Sequence, residues 1–110
     1  MAYDKELAAR LRAALSFEKG ITEKAMFGGL AFLLDGNMVV AASGRGGLMV
    51  RVDPAAGGSL RERNGVHPVV MNGREARGWL RVEDSVADTE ESLQSWLDHA
   101  LTYVRTLPAK

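Results

Sequence analysis

Cysteine is absent from this 110-residue chain, so neither a disulfide framework nor a thiolate metal site is available to it. Net charge is absent too: 14 Lys and Arg balance 14 Asp and Glu. That removes the simplest argument for nucleic-acid binding, which rests on a basic excess. Long apolar runs are also missing. The longest near-apolar stretch, residues 25–34, holds two glycines and is half of the roughly 20 residues a membrane span needs. No Asn-x-Ser/Thr sequon occurs, and Asp4 and Glu6 follow the first methionine without an apolar signal region. These absences point to a cytoplasmic protein with no membrane partner.

What is present is an ordinary globular mixture, 46% hydrophobic and 25% charged, which excludes disorder and collagen. One domain over residues 1–110 would bury roughly two-thirds of its unfolded surface, enough for one core. The balanced charge hides an asymmetry. Residues 1–52 carry seven bases and five acids, and residues 53–82 five and three. Residues 83–110 carry two bases and six acids. Arg outnumbers Lys ten to four, a ratio that fits a GC-rich codon bias.

The pattern along the chain gives a fold. Asp4 is suited to cap a helix over about residues 4–17, whose Leu7, Leu11, Ala14 and Leu15 fall on one stripe. Gly20 is a natural stop. Two apolar runs, 30–34 and 38–42, flank Asp35-Gly36-Asn37, where Asp-Gly favours a type I′ hairpin turn. A Gly-rich turn then leads to 48–52, in which Leu48, Val50 and Val52 alternate with Met49 and Arg51. Asp53-Pro54 opens a weak helix to Arg63, interrupted by Gly57-Gly58. Residues 69–71 and 78–82 flank Asn72-Gly73, a second hairpin signal. A last helix begins at Asp88, read as its cap, and carries Leu93, Trp96, Leu97, Ala100, Leu101 and Val104 at helical spacing until Pro108. The order α-β-β-β-α-β-β-α argues an α+β, two-layer fold, an antiparallel sheet with its helices on one face.

Lys24-Ala25-Met26-Phe27-Gly28-Gly29, the Asp35-Gly36-Asn37 hairpin and Gly47-Leu48-Met49-Val50-Arg51-Val52 together resemble the N-terminal domain of the TfoX/Sxy family. Trp79-Leu80-Arg81-Val82 and the Trp-bearing final helix extend the resemblance over about residues 5–105. Met49 and Arg51 stand where that family often has Tyr and Lys, and Val69-Val70 where an aromatic is common. The resemblance implies a secretion-chaperone-like fold and a link to competence-gene regulation. Family regulators carry a further helix-hairpin-helix domain, so the expectation here is a stand-alone N-terminal domain. The family brings no catalytic residues to carry over.

The residues themselves offer little chemistry. Gly28-Gly29 fits a sharp entry into a strand better than a ligand loop. Gly44-Arg45-Gly46-Gly47 lacks the Lys-Ser/Thr of a phosphate loop and precedes a strand instead of a helix. Arg45 remains an anion-contact candidate. His67 and His99 are the only histidines, and His99 lies off the apolar stripe. No metal or cofactor is expected. No serine sits in Gly-x-Ser-x-Gly, and Asp53, Ser59 and His67 are merely near in sequence. The expectation is therefore a non-enzymatic interaction or regulatory module, a homodimer with an unknown protein partner.

Its candidate surface is Met49, Arg51, Arg77, Trp79 and Arg81, which strand alternation places together. If the helices cover Leu80 and Val82, these residues face outward, and Met, Trp and Arg are enriched at interfaces. Alternatively Trp79 tucks under a loop and the arginines are solvated. A nucleic-acid-binding domain is the competing function, since residues 45–81 hold seven Arg against three acids. The single aromatic there, Trp79, makes a thin stacking platform.

Overall fold

The computed structural model describes residues 4–26, 28–44, 46–60, 62–71 and 73–109. Its elements are α1 (Lys5–Ala14), β1 (Ile21–Met26), β2 (Gly29–Leu34), β3 (Asn37–Ala42), β4 (Leu48–Arg51), α2 (Pro54–Leu60), β5 (Val66–Met71), β6 (Arg74–Val82) and α3 (Glu90–Val104), with a single 3-10 turn at Asp84–Val86. The strands form one antiparallel sheet in the order β1-β2-β3-β4-β6-β5. The expected α+β order is present with one strand added at its start. Residues 22–27 read as a lead into Gly28-Gly29, yet β1 pairs along all of β2. Its sequence, ITEKAM, is largely exposed, so it carries little of the apolar alternation that marks a strand.

All three helices contribute to one core. Leu7, Leu11 and Leu15 from the α1 segment, Leu60 from α2, and Leu93, Trp96, Leu97 and Leu101 from α3 pack with Phe32, Val40, Leu48, Val50, Leu80 and Val82 of the sheet. This is the stripe-on-sheet arrangement that the two periodicities foretell. Asp4 caps α1 through its side chain, accepting from the Glu6 and Leu7 amides. The cap of α3 is Thr89, not Asp88. Its hydroxyl accepts from the Ser92 amide, and the Ser92 hydroxyl answers at the Thr89 amide, a reciprocal capping box. Both Asp88 and Thr89 are good caps, and spacing alone does not choose between them.

The Asp35-Gly36 turn has φ of +50° and +85°, the left-handed pair a type I′ hairpin requires. Asn37, buried behind it, donates from its amide to the Pro108 carbonyl at 2.9 Å, tying the chain's C-terminal end to the hairpin. Arg10 joins α1 to the start of α3 by donating to the Ala87 and Thr89 carbonyls and to Glu90.

Arg12 forks onto Glu23 at 2.6 and 2.8 Å, joining α1 to the edge strand. The Arg12 hydrogen bonds hold the Glu23 carboxyl below its ordinary value, although its partial burial pushes the other way. A depressed carboxylate pKa adds stability above the unfolded value and loses it as pH falls through the folded one. The pair is partly exposed, so its contribution is screened to about 1 kcal/mol or less. Glu23→Gln should thus lower the melting temperature slightly near neutral pH, and the two proteins should converge in strong acid. A gap that widens in acid would contradict the pairing.

Candidate functional site

Alternation along β4 sends Leu48 and Val50 to the helices and Met49 to the opposite, open face of the sheet. On β6, Leu80 and Val82 point to the helices while Trp79 packs on the open side. The register sets Met49 opposite Arg81 and Arg51 opposite Trp79. Four of the five candidate residues are therefore neighbours, all half-buried. The Arg77 side chain lies outside the described residues, as does Arg45. Between Arg77 and Trp79, Gly78 takes φ +84°, a left-handed step that interrupts the strict alternation expected there.

Trp79 joins Met26, Leu33 and Met49 around the buried Ala31, Met38 and Ala41, a small second cluster on the open face. The Arg51 guanidinium carbon lies 5.4 Å from the Trp79 ring centroid and 5.6 Å from that of Tyr103 in α3. Each such contact contributes about 0.5–1 kcal/mol at a partly exposed site. Arg51 is thus held between two rings.

Two irregularities interrupt the pairing of the sheet. Val39 is an extra residue in β3 opposite the Phe32/Leu33 step, and the β5–β6 register shifts between Pro68 and Val70. Bulges of this kind bend a strand and increase its twist. Strands distant in the sheet order then share one groove of about 370 Å³, lined by Met26 of β1, Ala41 of β3, Met49 of β4, Val69 and Val70 of β5 and Arg81 of β6. The contributions of β1 and β5 are missing from the sequence-derived site, because they come from opposite ends of the sheet.

Lys24 sits opposite Ala31 on the open face, and Arg81 opposite Met49. His67, opposite Arg81, pairs with Glu83 at 2.5 Å. Arg81 has no ion-pair partner among the described residues. The arginines of residues 45–81 do not form one surface: Arg63 stacks 5.4 Å above Trp96 on the helical side.

The other sequence candidates are not brought together. Asp53 accepts from the Ala55 amide at the start of α2, while His67 is engaged by Glu83, so neither serves Ser59. His99 is exposed and borders a groove of about 560 Å³ between α2 and α3, with Asp53, Leu60, Asp98 and Tyr103. Among the described residues no three His, Asp or Glu side chains group as metal ligands. In the Gly44–Gly47 turn, the Ser43 amide donates to the Gly47 carbonyl and the Gly46 amide to the Ser43 carbonyl. Those amides close the hairpin and do not point at an anion. Gly29 serves a close approach: a Cβ there would lie 2.2 Å from the Ala42 carbonyl oxygen. Among the described residues no helix is long and apolar enough to cross a membrane.

Compared with known families, residues 13–103 match the model of the TfoX N-terminal domain. No curated protein and no solved structure matches the chain.

Proposed function

The chain belongs to the TfoX N-terminal domain family, and from that premise we propose that it is a non-catalytic regulatory domain whose open sheet face docks a protein segment bearing acidic and apolar side chains. At the family level such domains are regulatory or competence-related. The observation that carries the reading is the half-buried group of Met49, Trp79, Arg51 and Arg81, of which Met49 and Trp79 pack on the face opposite the helices. A thioether, an indole and two guanidiniums offer a partner apolar contact and hydrogen-bond donors together. Trp and Arg dominate interface hot spots.

Charge chooses the occupant. Lys24, Arg51 and Arg81 complement carboxylates. A symmetric dimer through this face would set like charges against each other, so a second copy is the weaker occupant. The zero net charge of the whole chain argues against a phosphate backbone as the partner.

Selection of a random peptide library on the wild-type protein, with counter-selection on Trp79→Ala, tests this. Recovered peptides should carry Asp or Glu beside aliphatic or aromatic residues. They should bind Trp79→Ala weaker by about 2 kcal/mol or more, roughly thirtyfold. The variant should keep a cooperative melt. Peptides that bind both proteins equally would contradict the proposal, as would a variant that no longer folds, since that makes the ring structural.

A further inference from the structure

The groove on the open face has the make-up of a small-molecule site. Its volume, about 370 Å³, falls in the range of ligand clefts, roughly 300–1,000 Å³. Apolar side chains line it, Met26 at one side, Val69 and Val70 at the other, with Ala41 and Met49 in the floor, and polar surface, Ser43 included, makes up the rest. The charged side chain lining it is that of Arg81. A cleft that sets apolar side chains beside a few convergent polar groups is how proteins orient amphipathic ligands.

We propose that this groove binds a small organic acid with an apolar body, its carboxylate on Arg81 and its hydrocarbon between Met26, Met49, Val69 and Val70. The guanidinium presents a planar fork that matches a carboxylate in two parallel hydrogen bonds. That fork is available because Glu83 is engaged by His67, leaving Arg81 without an ion pair among the described residues. The two flexible methionine side chains adapt to an irregular hydrocarbon. Val70 is 62% exposed at the lip of the groove, and an aliphatic chain would cover it. A bare anion such as phosphate would leave that apolar surface in water, and a neutral alcohol would leave the guanidinium unanswered. The proposal goes beyond the docking reading. It shares Met49 and Arg81 with that surface but needs no protein partner, and it can fail while the peptide selection succeeds.

Calorimetric titration of the purified protein with butanoate, hexanoate and octanoate, below their micellar concentrations, is the test, with octanol and octylamine as controls. Octanoate should bind one to one, about tenfold or more tightly than octanol, with octylamine weakest. Affinity should rise about fourfold per added methylene, until the groove is filled. Arg81→Gln should erase the preference for octanoate over octanol. Val70→Asp, at an exposed position that the fold tolerates, should abolish octanoate binding with the melting temperature unchanged. No saturable octanoate binding, equal affinity for octanol, or an undiminished preference in Arg81→Gln would overturn the assignment.

Discussion

Trp96→Ala is expected to cost about 3–5 kcal/mol, the usual loss when a buried aromatic is truncated. Trp96 is 3% exposed and sits mid-stripe on α3, in the cluster that joins all three helices to the sheet. The substitution leaves a void where α3 meets the rest of the core. It also removes the ring on which Arg63 stacks at 5.4 Å and beside which His99 lies with centroids 5.9 Å apart. For a domain of this size each kcal/mol shifts the midpoint by about 4–8 °C, so a fall of roughly 15 °C or more is expected in a thermal melt. Such a loss is a large share of a total stability of about 5–15 kcal/mol. A midpoint unchanged within error would mean that α3 presents a different face to the sheet.

Gly47→Ala is expected to be nearly as damaging, for a backbone reason. Gly47 has φ +71°, a conformation that costs an L-residue roughly 1–2 kcal/mol. A Cβ there would also stand 2.4 Å from the Val82 carbonyl oxygen. That oxygen belongs to a strand paired with β4, through Leu48 and Val82, so it cannot move aside cheaply. Overpacking of this kind adds about 1–3 kcal/mol, for a total of roughly 2–5 kcal/mol. Gly46→Ala is the internal control. Its φ is +92°, yet nothing lies within 4 Å of the added Cβ, so it should show the conformational cost alone. Urea denaturation of both variants separates the two effects. Equal losses would refute the close approach of the 44–47 turn to the end of β6.

The parts of the fold that the sequence reveals are those in which local and tertiary signals agree. The stripe from Leu93 to Val104 is both a helical period and a core face, and α3 forms there. Leu48, Val50 and Val52 alternate as a half-buried strand should, and all three reach the core. The register sets Met49 opposite Arg81 and Arg51 opposite Trp79, and directly opposed residues of paired strands are neighbours. Where the two signals part, sequence reasoning falls short. The edge strand β1 buries little, so its residues are chosen by water and read as a loop. Val39 and Val40 both enter the core, which breaks the period of two and conceals the bulge. Pro68 within β5 and Gly78 within β6 are the visible hints of irregularity on that side, since proline and glycine inside strands mark edges and bulges. The groove joins β1 to β5 across four intervening strands. Such a meeting is a property of the whole sheet and no local pattern encodes it.

The five methionines provide a direct test of the central claim, that the open sheet face is the working surface. Met26, Met38 and Met49 belong to the cluster on that face, and Met26 and Met49 line its groove. In protein labelled with carbon-13 at the methionine methyls and the leucine methyls, an acidic, leucine-bearing peptide recovered by the selection should shift the Met26 and Met49 signals in a saturable way. The Leu97 and Leu101 signals, buried between α3 and the sheet, should stay in place. A peptide that binds while Met26 and Met49 remain still would place its site elsewhere on the protein and contradict the account.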